Sequence, residues 1–461
     1  MLTEAQVSVN QPNELFAGGT DPTRFDCKEA WYPVHYVEDL DKTKPNKFTL
    51  LGQDLVLWWD SQANCWRAFE DQCPHRLAPL SEGRIAEDGL LECPYHGWAF
   101  QGDGACERIP QAVAGTTPQQ SKRACVQSLP TALRQGLLFV YPGQPDQAPK
   151  VAVPIIEPLE ESPEEWICLN TFRDLPYDAL TLLENVLDAS HVPFTHHESV
   201  GNRANAAPVE LEVCSSNKQG FTGLWEEGPR KGTLGQQHTR FIAPNLMWHD
   251  LTSKQFGRTM TVVYATPIRK GECRVFARFP FKFSSPLPAF FIKLTPRWYS
   301  HIGQNNILED DQIFLHYQER YLEAKGGSER FSKAFYLPTK ADTFVSQLRQ
   351  WVNQFAADPF PGESLSPPLS TEVLLDRYHS HTVNCGSCRR ALANLKRIRL
   401  IVTFLGIILW AVLPLANHAS VFLNLLPITA ALAWWGLGNL ERRFYEGRAV
   451  PPRNVPRRSK C

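Results

Sequence analysis

Cys73-Pro-His75 and, seventeen residues on, Cys93-Pro-Tyr-His96 each place one thiol and one imidazole in a short stretch shaped by proline and, after the second, by Gly97. Such a set suits a cluster with two unlike irons, one held by both sulfurs and one by both rings, which raises the potential above that of an all-cysteine cluster. Structural zinc is the competing use, but zinc fingers usually group like ligands and space their histidines more widely. A second set lies in Glu184-Asn185-Val186-Leu187-Asp188-Ala189-Ser190-His191-Val192-Pro193-Phe194-Thr195-His196-His197. His191 and His196 straddle a helix end expected at Pro193, so both rings can turn to one point; His197 has the right type in the wrong register. Two imidazoles and one carboxylate form the facial set that leaves three positions of a non-haem Fe(II) open for O₂ and substrate. The carboxylate must come from downstream, and Glu309-Asp310-Asp311 is the natural source. The two acids not used are expected to form a solvated helix turn.

These ligands need a scaffold. From 31 to 141 the apolar runs are short (Phe48–Leu51, Leu55–Trp59, Trp66–Phe69, Leu137–Val140) and bounded by turn residues, with a tight turn at Gly102-Asp103-Gly104, which predicts an all-β domain. Residues 1–30 read as an arm, and 142–166, with six prolines between Pro142 and Pro163, as a linker or edge segment. From 167 to 377 a second domain mixes strands (Val209–Cys214, Gly220–Trp225, Met260–Thr266, Arg274–Phe279) with helices over Thr181–His191, Asn305–Leu322 and Thr339–Phe355. The 378–397 segment holds Cys385-Gly-Ser-Cys388, a redox pair or, with His379 and His381 just before it, a zinc knuckle. Leu400–Leu440 then carries no charged residue and divides at Asn417-His418 into apolar halves. As helices these would measure about 26 and 33 Å, long enough to cross a bilayer. A transmembrane hairpin over 398–441 is expected, a buried soluble hairpin being the alternative. Arg389, Arg390, Lys396, Arg397 and Arg399 before it, and Arg442, Arg443 and Arg448 in the basic 442–461 tail, put both ends and the main body on the cytoplasmic side.

The 461 residues exceed one ordinary core, and 47 basic against 48 acidic side chains give a net charge of −1, so no nucleic-acid partner is expected. Twelve cysteines and no secretory signal point to a reducing compartment, and a polar leader whose first 26 residues hold only Arg24 as a cation argues against a transit peptide.

The first ligand set, C-x-H-x17-C-x2-H, resembles that of Rieske [2Fe–2S] proteins; followed about 95 residues later by N-x2-D-x2-H-x4-H, it resembles the α-subunits of Rieske oxygenases. The likeness is closer still to the pheophorbide a oxygenase family, which includes protochlorophyllide-dependent translocon component 52, the chloroplast envelope 55 kDa Rieske component and, more distantly, chlorophyllide a oxygenase. Trp31-Tyr32-Pro33-Val34, the 50–58, 73–84 and 106–112 stretches, the Cys385/Cys388 pair and the apolar C-terminal segment carry it, over most of 31–440. The resemblance implies an α+β chain: a Rieske domain holding [2Fe–2S] through Cys73, His75, Cys93 and His96, then a helix-grip (Bet v 1-like) domain holding mononuclear Fe(II). It selects Asp311 as third ligand, because the ligand aspartate of such subunits lies seven residues before a glutamine, here Gln318. It implies a homotrimer in which Asp188 bridges a cluster histidine of the neighbour, His96, to His191 or His196, and a thioredoxin-reducible Cys385/Cys388 pair. The activity it implies is a monooxygenase acting on a chlorophyll-type tetrapyrrole in a cyanobacterial plasma or thylakoid membrane. A large flat ligand is consistent with Trp225, Trp248, Phe279, Phe281 and Phe283, which are equally plain core residues. No G-x-G-x-x-G sits on a strand–helix turn and no plant-type C-x4-C-x2-C run occurs, so the reductase is expected to be a separate protein, with reduced ferredoxin the implied donor. A membrane redox sensor or electron carrier is the rival function, and a sterol, carotenoid or other aromatic the rival substrate; the complete His191/His196/acid set favours an enzyme.

Overall fold

The computed structural model describes residues 23–230, 232–253, 257–412 and 425–448. Most of the expected arm (1–22), the Asn417-His418 divider and the tail beyond 448 lie outside them. Three antiparallel sheets make the first domain: β1 (Tyr32–Tyr36) on β11 (Leu137–Val140) and β10 (Thr131–Arg134); β2 (Asn46–Leu50), β3 (Gln53–Asp60), β4 (Cys65–Glu70) and β9 (Ser128–Leu129); and a small sheet of β5 (Arg84–Ile85), β6 (Leu91–Glu92), β7 (Ala99–Phe100) and β8 (Cys106–Arg108). Strand β3 is apolar on both sides, so its alternation feeds two cores: Leu55 and Leu57 face one, Val56 and Trp58 the one beneath the cysteine loops.

The second domain is a seven-stranded antiparallel sheet in the order β12 (Ile167–Leu175), β18 (Glu272–Lys282), β17 (Gly257–Arg269), β16 (Leu246–Ser253), β15 (Gln237–Ile242), β14 (Gly220–Trp225), β13 (Leu211–Asn217). The helices Ala179–Leu187, Arg297–Ala324 and Thr343–Phe355 pack with it, giving a mixed α/β architecture. The proline-rich 142–166 stretch is packed: Val151, Ile156 and Leu159 are buried in a core with residues from both sides of it, and the Tyr264 hydroxyl donates to the Pro154 carbonyl at 2.9 Å. Trp225 and Trp248 are core residues.

The transmembrane hairpin expected over 398–441 finds no support among the described residues. Among the described residues no helix is long and apolar enough to cross a membrane. The helix Gly386–Val412 runs its first half, with Arg389, Arg390, Lys396, Arg397 and Arg399, along the body, leaving from Leu400 about 20 Å of apolar helix. Its partner is Leu426–Arg442, and residues 413–424 lie outside the described set. The two helices pack on each other, joined at their root by an Arg399–Glu441 ion pair, with Phe404, Ile408, Trp410, Leu432 and Trp435 exposed.

Candidate metal centres

Cys73 and Cys93 open two loops of one design. In each, the cysteine N–H donates to the carbonyl five residues on (Ala78, 2.9 Å; Trp98, 2.8 Å), and the cysteine carbonyl accepts from the N–H four on (Leu77, 2.8 Å; Gly97, 3.1 Å). Both closing residues are left-handed, with φ of 59° at Leu77 and 71° at Gly97. Glycine suits that turn, whereas leucine there costs about 1–2 kcal/mol, which the loop's bonds offset. The two sulfurs are buried, and burial, with the Cys93 thiol alongside, pushes the Cys73 thiol up. The His75 and His96 rings lie 4.5 Å apart at the loop tips, His75 stacked on Trp98 at 4.7 Å. His75 Nδ1 is shut off from solvent with no hydrogen-bond partner among the described residues, which is costly for an imidazole nitrogen unless a metal meets it. The residues fit a [2Fe–2S] cluster.

The second set is built from three elements. The Ala179–Leu187 helix ends earlier than its apolar pattern predicts. Asp188 turns the chain, its carboxylate accepting from the Ser190 N–H at 2.8 Å and hydroxyl at 2.6 Å, an Asx turn that outcompetes another helical turn. Pro193 therefore ends no helix; it starts the one-turn helix Val192–Thr195, with His191 before it and His196 after it. Gly201 closes the loop, its N–H donating to the His196 carbonyl at 2.9 Å where any Cβ would sit 2.1 Å from the Val192 carbonyl oxygen. Asp311 arrives from the Arg297–Ala324 helix.

The three donor groups converge. His196 Nε2 lies 3.3 Å and His191 Nε2 3.9 Å from the Asp311 carboxylate, and the ligand atoms all fall within 4.8 Å of one another. Cis ligands of an octahedral ion at about 2.1 Å stand about 3 Å apart, so one cation fits with small movements. The outer ring nitrogens fix the tautomers. His191 Nδ1 donates to the Asp188 carbonyl, and His196 Nδ1 faces the Asp310 carboxylate at 3.4 Å, which leaves each Nε2 lone pair turned toward Asp311. Asn185, the first residue of the N-x2-D motif, donates to Asp311 at 3.3 Å. Burial raises the Asp311 carboxyl pKa against the pull of the two imidazoles; a cation held by the three residues would supply a countercharge. His197 turns away, its Nδ1 accepting from the Arg203 N–H at 3.4 Å.

Two expectations change here. Glu309 and Asp310 are not a solvated turn, since both are buried. Asp310 holds His196, Ser199 at 3.2 Å and Arg448 at 2.5 Å, the last from the chain returning after the C-terminal helices. Burial pushes the Glu309 carboxyl up, but Arg173 at 2.6 Å and Arg377 at 2.5 Å outweigh it and hold it low. Within its own chain Asp188 meets His191 through its main-chain carbonyl, and its carboxylate forms no bond to either metal-facing histidine. Beside the site lies a cavity of about 410 Å³ lined by Asn185, Asp188, His191, Phe314, Phe335 and Tyr336 among others, and by none of the five aromatic residues singled out from sequence.

The fold recurs in solved structures: that of Pseudomonas putida NdmA with theobromine superposes with a TM-score of 0.57 at 19% identity, over 74% of this chain and 98% of that one. The Rieske [2Fe-2S] domain signature matches residues 30–130 and the pheophorbide a oxygenase signature residues 241–329. Pheophorbide a oxygenase of Arabidopsis thaliana is 38% identical over 80% of this chain and 73% of its own, and flavonoid 8-hydroxylase 2 of Ocimum basilicum 34% identical over 82% and 76%. The protein is a Rieske non-haem iron oxygenase, an oxidoreductase whose cofactors are a [2Fe–2S] cluster and a mononuclear iron. Within that class the chain belongs to the pheophorbide a oxygenase family.

Proposed function

We propose that this chain oxygenates a chlorophyll-type tetrapyrrole at an iron held by His191, His196 and Asp311, with electrons entering through a cluster on Cys73, His75, Cys93 and His96. The observation that carries the reading is the convergence of those three ligands at a cavity, in a chain 38% identical to a pheophorbide a oxygenase. An electron carrier has no use for such a set. When bound, the iron activates O₂ with two electrons delivered singly by ferredoxin or a reductase. The chain's part is orientation: the Asp188 carbonyl and the Asp310 carboxylate each hold an outer imidazole N–H, and Asn185 aims Asp311. The cavity volume is within the range of ligand sites, which is about 300–1,000 Å³.

The cluster loops pack in a core of residues 56–126 that shares no member with the core around the iron ligands, and Leu77 and Tyr95 stand exposed beside the cluster histidines. This supports a ring-shaped homotrimer in which the cluster of one subunit faces the iron of the next and Asp188 lies on the route. The exposed apolar residues of the paired C-terminal helices, with arginines at their root, support seating in a membrane where such pigments reside. A flavonoid or similar aromatic is the second substrate reading, favoured by the 34% identity to a flavonoid 8-hydroxylase.

The test is turnover under ¹⁸O₂ with ferredoxin, its reductase and a panel of pheophorbide a, chlorophyllide a, protochlorophyllide and flavones. A mass gain of ¹⁸O in a tetrapyrrole is expected; a gain confined to flavones would replace the substrate class.

A further inference from the structure

A second set of metal-binding side chains stands apart from both iron sites. His301 Nδ1, His381 Nε2, Cys385 Sγ and Cys388 Sγ lie within 4.8 Å of one another, and all four residues are buried. His301 Nδ1 is 3.0 Å from His381 Nε2 and 3.5 Å from each sulfur, and His381 Nε2 is 3.4 Å from Cys388 Sγ. We propose that these four residues bind a structural Zn²⁺ ion.

The geometry has the right size. Tetrahedral zinc with Zn–N of about 2.0–2.1 Å and Zn–S of about 2.3 Å sets ligand–ligand edges of about 3.3 Å between nitrogens and about 3.6 Å between nitrogen and sulfur. The four observed edges, 3.0 Å between nitrogens and 3.4–3.5 Å between nitrogen and sulfur, lie close to these values. The outer ring nitrogens are also committed. His301 Nε2 donates to the Asn170 carbonyl at 2.9 Å and His381 Nδ1 to the Phe172 carbonyl at 2.6 Å, both on β12. Since a carbonyl only accepts, the inward nitrogens are lone pairs facing each other, the pattern seen behind zinc-bound histidines. Zn²⁺ would displace the two thiol protons to solvent and form two Zn–S and two Zn–N bonds, with no change of oxidation state. Two thiolates, two neutral imidazoles and Zn²⁺ sum to zero charge, which suits a buried site.

The expected knuckle is thereby redrawn. His379 is exposed and pairs with Asp376 at 2.5 Å; only His381 turns inward, on a wide i→i+5 turn, Tyr378–Thr382. The fourth ligand comes from the helix that also carries Asp311, about 15 Å further along its axis. A thioredoxin-reducible pair would need a sulfur open to an attacking thiolate, yet Cys385 is 0% and Cys388 2% exposed. The ion would tie the root of the Gly386–Val412 helix to β12 and to the helix of the iron site. Asp39 braces the same root, its carboxylate accepting from the Gly386 N–H at 2.7 Å while paired with Arg297.

The test is metal analysis and zinc X-ray absorption on the full-length, iron-loaded protein from zinc-supplemented growth. About one zinc per chain is expected, with two sulfur neighbours near 2.3 Å and two nitrogen neighbours near 2.0–2.1 Å. Cys388→Ser and His301→Ala should each lower bound zinc at least about tenfold; retention of the mononuclear iron, whose Asp311 ligand shares a helix with His301, certifies that a variant is folded around the site. The wild-type spectrum needs no variant. Zinc with nitrogen and oxygen neighbours alone, which would mark occupation of the His191/His196/Asp311 site, overturns the proposal. So does zinc-free protein whose Cys385 and Cys388 form a disulfide that thioredoxin opens.

Discussion

Asp311→Ala is expected to strip the mononuclear iron, lowering iron from about three to about two per chain, and to abolish product formation while the Rieske EPR signal persists. The variant removes the acid that both Nε2 atoms face and leaves the separate core beneath the cluster loops intact. Asp310→Asn should behave differently. It keeps an acceptor for the His196 Nδ1 proton but loses charge opposite Arg448, and loss of such an outer partner typically costs about 10–100-fold in metal affinity or activity. Iron titration of the two variants separates them: the Asp310 protein should recover turnover at raised Fe(II), and the Asp311 protein should not. Recovery by Asp311→Ala instead would mean that Asp310 is the ligand.

The second large effect is a rescue. A Cys73→Ser chain keeps its iron ligands but lacks the cluster, and a His191→Ala chain has the reverse defect, so each alone should be inactive. In a closed ring of mixed subunits, an intact cluster faces an intact iron at about one interface in four when the chains are mixed equally and at random. Activity should then return to about a quarter of wild type, and Asp188→Ala in both chains should suppress it. Transfer confined to one chain gives no rescue at any mixing ratio. The readout is product per chain in co-expressed, doubly tagged oligomers; double purification, by removing the unmixed rings, raises the share expected of a trimer to about a third.

Ligand types and short-range spacing made the two cysteine–histidine loops and the His191/His196 pair legible as candidate ligands, because these loops are local: the cysteine loops span a few residues each, and His191 and His196 flank a single turn; Asp311 was set apart from Asp310 only by the family resemblance. Their surroundings were not legible. Asp310 looks like any acid on an exposed turn until His196 and Arg448, each more than a hundred residues away, are packed on it. His301 belongs to no motif, and only the fold brings it to Cys385 and Cys388. Helix ends were misplaced wherever a side chain competed with the periodic pattern. The Asp188 carboxylate stops one helix at Leu187, and the Thr339–Asp342 capping box shapes a separate short turn before the Thr343–Phe355 helix. The long helix starts at Arg297 rather than Asn305: it follows Pro296, and its first turns bury His301 and Ile302.

In the proposed function, electrons from the cluster are spent at the His191/His196/Asp311 site on oxygenating a bound molecule. Its most direct test is a single turnover: reduce the full-length, iron-loaded protein, remove the reductant, add ¹⁸O₂ with pheophorbide a, and follow the Rieske EPR signal and labelled product together. The signal should decay in step with product in the wild-type protein, and in Asp311→Ala it should persist without product. Equally fast decay of the signal in both proteins, with no labelled product in either, would contradict it.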